Sequence, residues 1–337
     1  MVNSSFPKLK AIATAIVGSC VIASLFHQSY LLQSAIVDRP PTRILQRILL
    51  LEKASESEDT HAVYRWARRH VRPHARLPEP SKETILFWHI PKSGGSTAKS
   101  IYRCIGKTIR IASQPGEIMK LKHMGLVPSE QPDIIFSSFP DFAIAHLYDE
   151  THKARVLAMF RHPVDRLVSK FYYLQVASWE KSYQPKWAKM DILQWAKSYH
   201  NTDNNLMVKR LAGKGQRSPT NHLDLMRAKR TIRQRMIVGV MDEMGESIHR
   251  FNTVMGINDE TENNHHKCMK QYFGSSGKGN RNRKANSNSY PKIEKGHPAW
   301  DYLAEKNKFD IKLYEFVLEL FEEQREQIDS YARALLS

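Results

Sequence analysis

The chain has 337 residues, which allows one large domain or two small ones with short tails. Its hydrophobic fraction of 41% excludes a chain too polar to bury a core, and three cysteines are too few to establish a disulfide framework. A formal net charge of +17 points to acidic partners (nucleotide phosphates, anionic glycans, nucleic acid or a membrane surface), with a basic, soluble surface as the plainer reading.

From Ala11 to Val37 there is no Asp, Glu, Lys or Arg, and Lys8 and Lys10 precede the most apolar part, Ala11–Phe26. Residues 1–37 therefore read as an N-terminal signal anchor, a short cytosolic tail plus a transmembrane helix, which needs about 20 apolar residues. Small residues at Ala23 and Ser24 leave a cleaved signal peptide open, and a buried core helix is a third reading. The first two readings both place the rest of the chain in the secretory pathway. Arg39, Arg43 and Arg47 follow the segment, so charge sets its orientation only weakly. Residues 38–80 are basic and contain Pro40, Pro41, Pro73, Pro78 and Pro80; they read as a stem. The folded domain is expected over 81–337, beginning near Thr84.

Within it, four short apolar runs read as buried parallel strands: Ile85–His89, Ile134–Ser137, Val156–Phe160 and Met236–Val240. Helical patterns lie between and after them. The first is Ser96–Cys104, and a second opens at Pro163, a residue suited to the first helical position. Trp187–Tyr199, Leu223–Arg235, Ala299–Asn307 and Ile311–Leu336 follow, the last with Asp310 as its N-cap. This alternation predicts an α/β domain with a parallel sheet and more helix than strand. Gly274–Pro291, with Lys278, Arg281, Arg283 and Lys284, reads as a basic loop: a solvated surface segment or an anion-clamping lid.

Two segments carry chemistry. In Phe87-Trp88-His89-Ile90-Pro91-Lys92-Ser93-Gly94-Gly95-Ser96-Thr97 a strand breaks into a glycine turn and opens a helix. A helix N-terminus presents unpaired N–H groups and a positive dipole end, and glycines let the backbone approach an anion closely. Lys92 precedes the glycines, so this is not the Walker arrangement. The second segment runs Arg161-His162-Pro163-Val164-Asp165-Arg166-Leu167-Val168-Ser169. Arg161 is placed at a strand end, where parallel sheets bind ligands, and Arg166 and Ser169 are three apart on the following helix. A strand-end arginine with a helix hydroxyl can grip a second phosphate. The aromatic run Phe171, Tyr172 and Tyr173 reads as helix packing.

Together these segments resemble the nucleotide-binding elements of the sulfotransferase superfamily, and most closely the membrane-anchored Golgi carbohydrate sulfotransferases of the heparan sulfate 2-O and 6-O type. The resemblance rests on Pro91-Lys92-Ser93-Gly94-Gly95-Ser96-Thr97 and on Arg161, Pro163, Arg166 and Ser169. Weaker likeness continues at Asn204–Gly213, Val238–Val240, Glu246–Ile248 and Asp310–Tyr314, so about residues 84–325 are covered. It implies a P-loop-like parallel sheet with helices on both faces and a helix-rich C-terminal half. It also implies 3′-phosphoadenosine 5′-phosphosulfate as co-substrate. Lys92, Ser93, Gly94, Gly95, Ser96 and Thr97 would hold the 5′-phosphosulfate, and Arg161 and Ser169 the 3′-phosphate. The implied reaction is in-line attack of an acceptor hydroxyl on sulfur, with Lys92 neutralising the bridging oxygen and no covalent enzyme intermediate. The implied partners are an anionic or neutral glycan and, through the anchor, the Golgi membrane, with the catalytic domain in the lumen and no nucleic acid. No metal is implied, because lysine and arginine supply the charge.

One element departs from the pattern. Related enzymes often carry a general-base histidine just after the second core strand, where this chain reads Ile134-Ile135-Phe136-Ser137-Ser138-Phe139. Asp141 and His146 are nearby candidates, with a helix N-cap and a surface helix position as their plain readings, and the base stays unassigned. His265, His266 and Cys268 suggest a metal but lack a partner cluster. Cys104 and Cys268 read equally as a disulfide in an oxidising lumen or as core thiols. The competing functions are a phosphotransferase using the same loop, and a nucleotide-binding protein of this fold without catalysis. The acceptor-choosing loops 107–133 and 175–186 carry no readable pattern.

Overall fold

A computed structural model describes residues 70–71, 73, 79, 82–124, 132–180, 183–198, 203–274 and 290–336, all within the unit Asp59–Ser337. The expected anchor over 1–37, nearly all of the stem over 38–80 and most of the basic loop Gly274–Pro291 lie outside the described residues. Among the described residues no helix is long and apolar enough to cross a membrane.

In chain order the elements are β1 (Glu83–Trp88), α1 (Gly95–Ile105), β2 (Ile109–Ile111), α2 (Pro115–His123), β3 (Ile134–Ser137), α3 (Pro140–Leu147), β4 (Lys153–Phe160) and α4 (Pro163–Leu174). After a short 3₁₀ turn at Pro185–Lys189 come α5 (Ile192–Lys197), α6 (Leu206–Leu211), α7 (His222–Arg235), β5 (Met236–Val240), α8 (Met244–Met255), α9 (His265–Phe273), α10 (Pro298–Lys306) and α11 (Lys308–Leu336). The five strands form one sheet in the order β2-β3-β1-β4-β5, and each pairing is parallel. The fold is therefore the expected α/β class. The four strands read from sequence are present; β2, three residues at the sheet edge, was not foreseen.

The near-continuous apolar runs reflect burial on both faces. Leu86 and Trp88 enter one core with Ile135, Phe160 and Leu313, while Phe87 enters the other with Ile101, Phe136 and Phe251. Period-two alternation thus sends His89 to the Phe87 side and Ile90 to the Trp88 side. The edge strand β5 is closed by side chains. Gln324 on α11 accepts from the Val238 amide (2.9 Å) and donates to the Met236 carbonyl (2.8 Å), and Ser247 on α8 bridges the Val240 amide and carbonyl.

Two local expectations change. Asp310 lies inside α11 and does not cap it; its carboxylate accepts from the Met207 and Val208 amides (3.0 and 2.8 Å) and caps α6. Asn205 returns the interaction, its side-chain oxygen accepting from the Phe309 and Asp310 amides (3.0 and 3.1 Å). The expected helix Trp187–Tyr199 is split, because Asp191 caps a new start at α5 by accepting from the Gln194 amide. Cys104 on α1 and Cys268 on α9 form a disulfide that closes 164 residues of sequence separation.

Candidate active site

β1 ends at Trp88, and the chain turns through Pro91–Gly94 before α1 opens at Gly95. The turn needs left-handed backbone at two places: Lys92 has φ 65° and Gly94 φ 83°. A non-glycine residue held at positive φ is strained, and such strain persists where the surroundings fix it. Alternating hand along the backbone is the geometry that turns successive N–H groups toward an anion. Among the described residues no side chain caps α1, so its first amides are left without a side-chain partner there. Ser93 is 1% exposed, and its hydroxyl has no hydrogen-bond partner among the described residues. The two glycines have different reasons. Gly94 supplies the positive φ; at Gly95 an added Cβ would stand 2.3 Å from Cδ2 of His89. The imidazole is therefore wedged against the start of α1.

A cavity of about 340 Å³ opens over this turn. Lys92, Gly94, Gly95, Ser96 and Thr97 line it from the loop side, and Arg161 and Ser169 from β4 and α4. The structure thus brings the sequence-selected residues to one space, with Ser93 buried beneath. Arg161, just past the end of β4, donates to the Lys92 carbonyl (3.2 Å) and to the Tyr290 hydroxyl (2.9 Å). Lys92 sets its ammonium 3.8 Å from the centre of the Tyr173 ring. Among the described residues neither Lys92 nor Arg161 has a carboxylate within ion-pair distance. Burial, reinforced by Arg161, pulls the Lys92 ammonium down to about 8, with Glu180 opposing.

Arg166 turns the other way. It is fully buried and donates to Asp203 (3.1 Å), which also receives Lys170 (2.8 Å). Burial acts to raise the Asp203 carboxyl, but Lys170 and Arg166 outweigh it and hold the group well below the usual range. The shared helix face does not carry Arg166 to the cavity, because Asp203 pins it in the interior.

Sequence reasoning missed His89, Tyr173, Glu180, Met241 and Tyr290, all of which line the cavity. Tyr173 was legible in principle: it follows Ser169 by four residues, one turn along the same helix face. Burial and Lys99 pull His89 down to about 4, against Glu180, so the ring is neutral near pH 7. Of the two base candidates, neither lines this cavity. His146 turns its Nδ1 onto the Phe142 carbonyl (2.8 Å) of its own helix and stacks on the Phe142 ring. Asp141 sits near Arg210, and burial pushes its carboxyl up to about 7 against that charge.

A second cavity of about 600 Å³ lies on the Trp88–Ile90 side and shares Pro91 with the first. Arg210 lines it, its guanidinium 3.9 Å over the Phe139 ring, together with Ser138, Lys170 and Asp203. His265 and His266 both face Asp259 (2.7 and 3.5 Å), and among the described residues no group of three His, Cys, Asp or Glu is placed to hold a metal.

A search of curated proteins gives no match. Among solved structures the chain is similar to mouse sulfotransferase SULT7A1 complexed with PAP, at 15% identity over 77% of this chain and 89% of that one, with a TM-score of 0.35. A family model, described as the sulfotransferase family, matches residues 80–317. That span exceeds half the chain and includes each residue named above as lining the first cavity, and the chain accordingly belongs to the sulfotransferase family.

Proposed function

We propose that this chain transfers the sulfuryl group of 3′-phosphoadenosine 5′-phosphosulfate to a hydroxyl of a carbohydrate acceptor. The observation that carries the reading is a single cavity in which Lys92, Arg161 and the first amides of α1 face one space, with neither cation committed to a carboxylate among the described residues. The donor fits these residues. Ser93, whose buried hydroxyl has no partner among the described residues, would hold the 5′-phosphosulfate with Ser96, Thr97 and the amides of Gly94 and Gly95. Arg161 and Ser169 would hold the 3′-phosphate. The bound donor supplies an activated sulfuryl group. Lys92 neutralises charge on the bridging oxygen as that bond breaks, and preorganised amides steady the sulfuryl oxygens. Lysine and arginine bring the positive charge, so the reading includes no metal.

The glycan acceptor and the Golgi membrane belong to the same proposal. The apolar run Ala11–Phe26 supports an anchor, and the Cys104–Cys268 disulfide fits an oxidising lumen. Calorimetric titration of the full chain in detergent with 3′-phosphoadenosine 5′-phosphate tests the site. Wild type is expected to bind at micromolar or tighter, and Arg161→Ala to bind about 10- to 100-fold more weakly; a folded wild type that binds no nucleotide overturns the reading.

A further inference from the structure

We propose that Glu180 is the proton acceptor for the incoming hydroxyl, and that Trp179 beside it is the face against which the acceptor sugar packs. The assignment rests on the sulfotransferase reading above. Among the described residues lining the cavity that holds Lys92 and Arg161, Glu180 is the one carboxylate. A carboxylate beside a polyanion site weakens nucleotide binding through like charge, so its presence there requires another use. Glu180 is close enough to act electrostatically on both Lys92 and His89.

Its hydrogen bonds leave it competent for that use. The Tyr173 hydroxyl donates to Oε1 of Glu180 (2.6 Å), and Nε1 of Trp179 donates to the Tyr173 oxygen (3.2 Å). The other carboxylate oxygen has no hydrogen bond among the described residues. Tyr173 carries the Lys92 ammonium on its ring face and Glu180 at its hydroxyl, so one rigid side chain sets the spacing between cation and base. Burial and the bond to Glu180 push the Tyr173 hydroxyl up to about 12, which keeps it a donor. Trp179 is 72% exposed, and its ring meets Tyr173 edge-on with the nitrogen anchored. A large aromatic surface held in water beside the reacting centre suits the apolar face of a sugar ring. The other groups near the site are poorer bases. His89 is wedged at Gly95 and resists protonation, while Asp141 and His146 line no part of this cavity.

The step balances without a further reactant. As the acceptor oxygen forms its bond to sulfur, its proton passes to Glu180. The bond from sulfur to the bridging oxygen breaks, and the electron pair stays on that oxygen beside Lys92, leaving with the bisphosphate.

Glu180→Gln separates this role from a structural one, because the amide oxygen still accepts from Tyr173 but takes no proton. With full-length protein, the donor and chemically desulfated heparin or chondroitin as probes, Glu180→Gln is expected to lower kcat about 100-fold or more. Its affinity for 3′-phosphoadenosine 5′-phosphate should match or exceed that of wild type, which shows that the variant is folded. Glu180→Asp should recover part of the rate, and Trp179→Ala should act more on the KM for polysaccharide than on kcat. If neither polysaccharide accepts sulfate, the same comparison is made on slow hydrolysis of the donor, where water must also lose its proton. Glu180→Gln turning over within about threefold of wild type in either assay overturns the assignment and leaves the sulfotransferase reading intact. A wild type that binds no nucleotide and consumes no donor overturns both.

Discussion

The two cavities that flank the end of β1 each hold a lysine and an arginine, yet they differ in what those charges are doing. On the His89 side, Lys92 and Arg161 are held by a ring face, a carbonyl and a tyrosine hydroxyl, none of which neutralises them. On the Trp88 side, Lys170 already pairs with Asp203, and Arg210 lies over Phe139 with Asp141 near it. A cation without a carboxylate keeps its full attraction for an incoming anion, whereas a paired one has spent most of it. Net basicity is shared by both faces; among the described residues the first cavity alone sets two cations free of a carboxylate beside the open amides of α1, and that arrangement favours it for the proposed polyanion.

Lys92→Ala is the most severe break of that contrast. Removing the cation at the developing charge is expected to lower sulfate transfer by about 10³-fold. Donor-dependent turnover, measured beside circular dichroism of the folded protein, checks it. Next comes a paired test. Arg161→Ala should weaken binding of 3′-phosphoadenosine 5′-phosphate by about 10- to 100-fold, the value of a charge-assisted hydrogen-bond pair. Arg210→Ala, equally cationic but on the other side of Pro91, should change that affinity by no more than about twofold. Equal losses in the two titrations would erase the distinction between the cavities.

A third measurement uses pH. Burial and Arg161 bring Lys92 down to about 8, so the free protein holds this charge below that value and loses it above. A bound polyanion favours the charged form and raises the group again. Affinity should therefore be flat below pH 8 and fall as pH rises through it, by up to about tenfold per unit until the bound-state value is reached. The Lys92→Ala variant should lack this phase.

The contrast between the cavities also marks where the sequence stops being informative. Local signals carried four of the five strands, the Pro163 helix start and the Pro91–Thr97 turn, because a short apolar run, a proline at the first helical position and a glycine pair act over a few residues. What they could not carry is set by partners far along the chain. Asp310 reads as a cap of its own helix, but the amides it satisfies belong to Met207 and Val208, about one hundred residues earlier. Arg166 shares a helix face with Ser169, yet Asp203 draws it into the interior. Glu180 stands in a stretch without periodicity, only seven residues beyond Tyr173, and it is the fold that brings the pair to the cavity of Lys92. The disulfide was open from sequence for the same reason, since nothing near Cys104 foretells Cys268.

The smallest expected effect tests the tightest piece of packing. Gly95 has an ordinary φ, so alanine there meets no backbone strain; what it meets is the His89 ring, 2.3 Å from the new methyl. A half-buried ring set between a strand end and a helix start must shift to admit it, and overpacking of this kind costs about 1 kcal/mol or more. Gly95→Ala should lower the denaturant midpoint accordingly, and it should weaken nucleotide binding by tilting the first amides of α1. In Gly95→Ala combined with His89→Ala the clash is gone, so the double variant should be more stable than the sum of the two single losses allows. Gly94→Ala, by contrast, has its nearest contact at 3.4 Å but a φ of 83°, so its cost is backbone strain and no change at His89 should relieve it. If His89→Ala rescues both glycine variants equally, the two glycines share one function and the division between them is wrong.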